Sequence, residues 1–256
     1  MNKQSIAIKA ATTVVGLLTA LVLLLLLEAW LASRTPFVNF QNPTSAPVHI
    51  KGNGPPLRYV VMGDSTTAGR GAAPENSITM GTARHLAEKY DVTLINLSAS
   101  GARLEDLIAK QLPDAKQAKP DVVLISVGAN DIMHFTPDGQ IQSELHHVIT
   151  ELIESNPKIA VVIPGSGEVG ACPRFEQPLR LVAGWQTKRV NDIIKQTTLA
   201  CPGTTWIPLA ERTGAIFARD PTLFSPDKFH PNDRGYLIWT QVLDEGLDQT
   251  MRCRHN

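Results

Sequence analysis

The chain has no net charge and few aromatic residues. Its 256 residues include 24 basic and 24 acidic side chains, so the formal charge at pH 7 is zero. Without a basic excess, no electrostatic field draws nucleic acid to the surface. Aromatic residues make up only 5% of the chain, which argues against a platform for stacking bases. We therefore expect no nucleic-acid partner.

The sequence also lacks the common metal-binding motifs. It contains neither His-Glu-x-x-His nor Cys-x-x-Cys, the spacings that hold many zinc ions. His146 and His147 are adjacent on a predicted helix and so point in different directions. Residues 165–170 match the glycine spacing of dinucleotide-binding turns, but Pro173 follows and no helix begins there. We expect no metal and no cofactor, and we interpret 165–170 as a mobile loop beside a cleft.

Only three cysteines are present. Cys172 and Cys201 could form a disulfide in an oxidising compartment, leaving Cys253 unpaired, or they could be buried free thiols. The sequence does not give the distance that decides between these alternatives.

One long apolar run lies near the start of the chain. Residues 10–27 carry no charge, and their length is close to the minimum for a membrane-spanning helix. Lys3 and Lys9 precede the run, which predicts a cytoplasmic amino terminus and an exported remainder. A cleaved signal peptide is the alternative, but no tidy Ala-x-Ala site follows and Trp30 suits a membrane interface. We expect residues 1–32 to be a membrane anchor (or a signal peptide), with the rest periplasmic or extracellular, or secreted after cleavage.

The remainder of the chain divides into a linker and one domain. Residues 33–56 contain several prolines among scattered polar residues and show no periodicity, which predicts an extended tether. The folded domain is expected over residues 57–256.

Strand and helix patterns alternate through this domain. The predicted strands cover residues 57–62, 92–96, 122–127, 159–163 and 205–207. Apolar residues recur at helical spacing between and after them, over 104–112, 141–153, 179–194 and 232–247. Such alternation implies right-handed crossovers and a parallel sheet covered on both faces. The predicted fold is α/β, a three-layer α/β/α sandwich with about five parallel strands.

Polar residues that suit nucleophilic catalysis follow the ends of these strands. Ser65 comes directly after the first strand, and Asp227 and His230 lie on a loop after the last. Because parallel strands end at the same edge of a sheet, these residues can converge. A serine needs a base to take its proton, and the base needs an orienting partner. His230 and Asp227 could fill those two roles.

Attack on an ester carbonyl also creates an oxyanion, which needs donors held in place. The backbone N–H groups of Ser65 and Gly101 and the side-chain amide of Asn130 could supply three donors. Taken singly, each of these residues also has an ordinary structural explanation as a turn, cap or loop residue.

Together these blocks resemble the SGNH (GDSL-type) hydrolase family. The resemblance rests on Gly63-Asp64-Ser65, Gly101, Gly128-x-Asn130-Asp131 and Asp227-x-x-His230, in that order, over about residues 57–247. It implies the flavodoxin-like SGNH fold, with Ser65 as nucleophile, His230 as base and Asp227 as its partner. It also implies an oxyanion hole formed by Ser65, Gly101 and Asn130. Thr66 occupies the position of the leucine in the Gly-Asp-Ser-Leu motif that gives the family its name.

Family members cleave esters and thioesters of many kinds, so the resemblance implies a serine esterase. The N-terminal run points to envelope or extracellular esters, such as acetyl esters or lipids, on small molecules or polymers. Two alternatives remain: an O-acyltransferase on the same scaffold, and a catalytically idle module that binds a polymer.

Overall fold

A central sheet of six strands organises the molecule. A computed structural model of the chain describes residues 3–254. The strands are β1 (Val48–Ile50), β2 (Pro56–Gly63), β3 (Asp91–Asn96), β4 (Val122–Ser126), β5 (Ala160–Ile163) and β6 (Thr204–Trp206). Their order across the sheet is β1-β3-β2-β4-β5-β6. Strands β2 to β6 are parallel, as the sequence predicts, whereas β1 pairs antiparallel with β3 at one edge.

The order of the parallel strands places a crevice next to β2. If the five parallel strands are numbered 1 to 5 in chain order, their order across the sheet is 2-1-3-4-5. This is the flavodoxin-like order. In such a sheet, ligands bind beyond the carboxyl ends of the strands where the order reverses. Here that point lies between β2 and β4, whose last residues Gly63 and Ser126 are register partners. Ser65 follows two residues after Gly63.

Helices cover both faces of the sheet. Those on one face are α5 (Leu112–Ala118), α7 (Asp138–Ser155) and α8 (Leu179–Ala200); those on the other are α3 (Ile78–Ala87) and α10 (Asp233–Arg254). The remaining helices are α1 (Lys3–Arg34), α2 (Ser65–Ala68), α4 (Leu104–Asp106), α6 (Ala129–Met133) and α9 (Leu209–Arg219). A π-helical turn, Leu107–Gln111, joins α4 to α5.

The apolar periodicity of the sequence explains this packing. Helix α7 buries Ile141, Leu145, Val148, Ile149 and Leu152, which are spaced three or four residues apart and so share one face of the helix. Strand β4 is buried along its whole length, as a central parallel strand covered on both faces must be. The three-layer α/β/α sandwich is therefore confirmed.

The N-terminal helix is longer than the uncharged run within it. Helix α1 has 32 residues, equivalent to about 48 Å, and is long and apolar enough to cross a membrane. Its last turns pack on the domain. The Glu28 carboxylate accepts a hydrogen bond at 2.8 Å from the N–H of Leu179, at the start of α8, and Ala32 is buried.

Residues 33–56 are fastened to the domain, whereas the sequence predicts an extended tether. Strand β1 lies within this segment and joins the sheet. The N–H of Gly52 donates to the Asp91 carboxylate at 3.2 Å. Val38 and Asn42, earlier in the segment, contact the candidate site described below. These contacts involve mainly backbone groups and polar side chains, which leave no periodic pattern in the sequence.

Cys172 and Cys201 are both buried free thiols. The Cys172 thiol donates to the Phe229 carbonyl oxygen at 3.5 Å, and burial raises its pKa. The side chain of Cys253 lies outside the described part of the chain.

Candidate active site

Ser65 lies in the sharp turn that ends β2. Gly63 has a φ of 152°, and a Cβ at this position would lie 2.1 Å from the Ser126 carbonyl oxygen, so the turn requires glycine. Asp64 then caps the short helix α2, and its Oδ1 accepts from the Thr66 N–H at 2.9 Å. Ser65 is the first residue of that helix. The turn therefore presents the Ser65 hydroxyl at the crevice.

His230 lies between Ser65 and Asp227. Its Nε2 is 2.8 Å from the Ser65 Oγ, and its Nδ1 is 2.8 Å from the Asp227 Oδ2. An ionised carboxylate can only accept hydrogen bonds, so Nδ1 carries the proton and Nε2 is left to accept from the serine hydroxyl. Asp227 and His230 are only 1% and 2% exposed. The structure thus brings together the three residues that the sequence suggests.

Several donors converge on the Asp227 carboxylate. Its Oδ1 accepts from the Ser225 hydroxyl at 2.8 Å and from the N–H groups of Phe229 and His230 at 2.9 and 3.0 Å. Burial alone would raise the pKa of this carboxyl, but the hydrogen bonds from His230 and the loop hold the pKa well below its usual range. Asp227 is therefore ionised at neutral pH and able to orient the imidazole.

The three expected oxyanion donors come from segments that contact one another. Ser65 offers an N–H from the first turn of a helix, where such groups have no intrahelical partner. Gly101, with a φ of 85°, sits in a left-handed turn, and the preceding Ala99 donates its N–H to the Gly63 carbonyl at 3.1 Å. Asn130 Nδ2 donates to the Ala102 carbonyl at 3.0 Å. A primary amide has a second N–H in addition to the one that binds Ala102.

Two buried carboxyl groups, those of Asp64 and Asp131, lie in these turns. Burial raises the pKa of Asp64, although the N–H and hydroxyl of Thr66 donate to it. Burial also raises the pKa of Asp131, to about 6. The Thr136 hydroxyl and the Leu104 N–H lower the Asp131 pKa by less than burial raises it.

A narrow, largely apolar cavity adjoins the nucleophile turn. Its lining includes Thr66, Val127, Phe217, Phe229 and Trp239. The loop 165–170 forms another wall and is fixed in place, in contrast to the mobile loop that its glycines suggest. Asn191 holds it by two hydrogen bonds of 2.9 Å to the backbone N–H and carbonyl of Ser166.

Among residues 3–254, no cluster of three or more His, Cys, Asp or Glu side chains is arranged to hold a metal ion.

The sequence does not reveal every residue at this site. Gln111 binds the backbone of Gly63, and residues 35–42 approach the candidate site from the N-terminal side, where the Val38 N–H donates to Asp227. Gln111 carries a weak signal, because it is a polar residue at a buried position of an apolar helical pattern. Residues 35–42 carry no comparable signal.

The sequence from residue 61 to 238 matches the GDSL-like lipase/acylhydrolase family. The chain belongs to this family. The matched segment covers most of the α/β domain, from β2 into α10.

Individual relatives agree with this assignment. An arylesterase from Vibrio mimicus is 33% identical over 106 residues, which is 41% of this chain and about half (53%) of the relative's length. The crystal structure of TesA superposes with a TM-score of 0.62 at 20% identity, covering 75% of this chain and 99% of TesA. An extracellular lipase from Streptomyces rimosus has a TM-score of 0.59 at 19% identity, with 74% and 99% covered. At these identities the two structures establish the SGNH hydrolase fold.

Proposed function

We propose that the protein is a serine esterase that works through an acyl-Ser65 intermediate. The observation that carries the proposal is the pair of 2.8 Å contacts by which His230 joins Ser65 to an ionised, buried Asp227. In the first step, the Ser65 Oγ attacks the ester carbonyl carbon while His230 Nε2 takes the hydroxyl proton. The intermediate then collapses, and the imidazolium returns this proton to the leaving alcohol.

The second half-reaction reverses these roles. His230 takes a proton from water, the hydroxide attacks the acyl carbon, and the Ser65 oxygen leaves and regains its proton from His230. In both halves the negative charge that develops on the carbonyl oxygen is stabilised by the N–H groups of Ser65 and Gly101 and the free N–H of Asn130. No cofactor enters these steps.

We also propose that the N-terminal helix anchors the enzyme in a membrane. Residues 10–27 span about 27 Å as a helix, close to the ~30 Å hydrocarbon thickness of a bilayer. Glu28 follows at once and binds the N–H of Leu179 in the folded domain, which supports an exit from the bilayer at this residue. With Lys3 and Lys9 on the other side, the catalytic domain faces the periplasm or the exterior. Its substrates are then envelope or extracellular esters, including acetyl esters and lipids.

The test is ester hydrolysis by the full chain in detergent micelles. We expect p-nitrophenyl acetate or its palmitate homologue to be cleaved, with the chain-length ratio reporting the acyl preference. Ser65→Ala should abolish turnover, whereas Ser143→Ala, an exposed serine on α7, should not change it. Activity that survives in Ser65→Ala, or none in the unaltered chain, contradicts the esterase mechanism.

The same assay separates the two alternatives. An O-acyltransferase would pass the acyl group to an added sugar alcohol and release little free acid. A polymer-binding module would retain a polysaccharide and show no turnover. Free acid released in proportion to nitrophenol favours the hydrolase.

A further inference from the structure

The chain segment that follows α1 lies against the candidate active site. We call residues 35–42 the strap. It begins directly after Arg34, the last residue of α1, and ends before β1. The sequence predicts a tether here, yet the strap contacts both sides of the site: the Asp227–His230 pair and the loop that carries Gly101.

The first group of contacts involves the catalytic pair. The N–H of Val38 donates to the Asp227 Oδ2 at 3.4 Å, the same oxygen that receives the His230 proton. The Phe37 ring packs edge-to-face on the His230 imidazole, with centroids 5.6 Å apart. Phe37 is 44% exposed while His230 is 2% exposed. The strap therefore covers the imidazole and adds a donor to its carboxylate partner.

Arg174 fastens the strap to the catalytic loop. Its guanidinium lies over the Phe37 ring, 4.0 Å from the centroid, in the geometry of a cation–π contact. One guanidinium nitrogen donates to the Thr35 carbonyl at 2.5 Å and another to the Asp227 carbonyl at 3.0 Å. A single side chain thus joins the strap to the residue that orients His230.

The second group of contacts reaches the loop of Gly101. Asn42 Oδ1 accepts from the N–H of Ser100 at 2.9 Å, one residue before Gly101. Arg70, which follows the nucleophile helix, donates to the Val38 carbonyl at 2.9 Å and to the Ser100 hydroxyl at 3.4 Å. The far end of the strap therefore holds the backbone that presents the Gly101 N–H.

We propose that the strap is a working part of the catalytic centre, in which Phe37 and Asn42 are positioning residues. Phe37 shields and orients His230, and Asn42 sets the direction of the Gly101 N–H through Ser100. This inference rests on the esterase mechanism proposed above. Because only three residue steps, at most about 11 Å of chain, separate Arg34 from Phe37, the strap also fixes the catalytic centre close to the end of α1.

The test of Asn42 uses the full chain in detergent micelles and three variants. Asn42→Leu removes the acceptor for the Ser100 N–H, and Asn42→Asp keeps an acceptor oxygen. Asn53→Leu is the matched control, at an exposed asparagine outside the strap. An oxyanion donor acts mainly in the transition state. We therefore expect Asn42→Leu to lower kcat about tenfold with KM and Tm unchanged. Asn42→Asp should recover most of kcat, and Asn53→Leu should match the parent.

The test of Phe37 compares Phe37→Ala with Phe37→Leu. Exposure of the imidazole in Phe37→Ala should lower kcat about tenfold and displace the pH profile of kcat relative to the parent. Leucine retains an apolar cover, so Phe37→Leu should restore both. If Asn42→Leu and Phe37→Ala keep kcat within twofold of the parent, or lose it only in proportion to a loss of folded protein, the proposal is overturned.

A measurement without substrate separates this proposal from the esterase mechanism. Amide hydrogen exchange at Ser100 should be faster in Asn42→Leu than in Asn53→Leu, whether or not esters are cleaved. Equal exchange in the two variants contradicts the Asn42 contact itself. Ser65-dependent turnover with unaffected strap variants rejects only the strap, whereas turnover that persists in Ser65→Ala rejects the esterase mechanism and, with it, the catalytic role of the strap.

Discussion

Gln111 and Gly63 are joined by two hydrogen bonds between one side chain and one residue's backbone. The Gln111 Oε1 accepts from the Gly63 N–H at 2.8 Å, and its Nε2 donates to the Gly63 carbonyl at 2.9 Å. Gln111 is buried at the end of the π-helical turn that joins α4 to α5. It lies 48 positions after Gly63 in the chain. Through this pair the helical layer holds the turn that presents Ser65.

Gln111→Leu should destabilise this turn and the fold with it. The buried Gly63 N–H would lose its partner, at a cost of about 1–3 kcal/mol. For a chain of this size, that corresponds to a decrease in Tm of roughly 3–10 °C. Calorimetry of the variant, compared with Gln142→Leu at an exposed position on α7, measures the effect. Equal melting temperatures for the two variants would show that the pair contributes little.

Asn130→Ala should impair catalysis much more than substrate binding. The substitution removes one of the proposed oxyanion donors, for which a loss of about 10²–10³ in kcat is typical. KM should change by no more than a few-fold. Asn130→Asp keeps the shape of the side chain but lacks the N–H, so it should be impaired as well. An Asn130→Asp enzyme with near-parental kcat would exclude a donor role for this amide.

Asp131→Asn should stabilise the protein at pH 8 and have little effect at pH 4. Burial raises the pKa of Asp131 from 3.8 to about 6. When the pH lies between these two pKa values, the folded state binds more protons than the unfolded state. Stability contributed by this group therefore falls as pH rises from about 4 to 6. Above that range, the ionised carboxylate lowers the free energy of unfolding by about 2–3 kcal/mol. The neutral amide of Asn avoids this loss.

Chemical denaturation of Asp131→Asn at the two pH values measures this difference. Asp114→Asn, at an exposed carboxylate on α5, is the control and should show no pH-dependent gain. If Asp131→Asn raises the free energy of unfolding equally at pH 4 and pH 8, the charge of Asp131 is not the cause of the increase.

The sequence predicts the elements whose residues repeat with a regular period. Five parallel strands and the helices between them follow from apolar runs such as those of β4 and α7, because burial on the sheet faces imposes that pattern. The meeting of Ser65 with His230 follows from the parallel topology, which places the ends of distant strands along one edge.

The strap and β1 could not be predicted in this way. Val38 and Asn42 are held through a backbone N–H and an exposed amide, and their partners lie 189 and 58 positions away. Neither contact needs a particular spacing of apolar residues, so a proline-containing segment resembles a linker even when it is fastened to the domain. The loop 165–170 illustrates the same limit: its glycines suggest mobility, whereas Asn191 fixes it from a neighbouring helix.

The long separation of the proposed catalytic residues along the chain has a consequence for the synthesis of the protein. Ser65 and His230 are 165 positions apart, and Val38 and Asp227 are 189 apart. At about 5–20 residues per second, a ribosome needs roughly 10–40 s to make the chain between the strap and the catalytic loop. Under the proposed mechanism, Ser65 has no base until His230 has been made. The nascent chain therefore carries the proposed nucleophile in an unactivated form throughout that time.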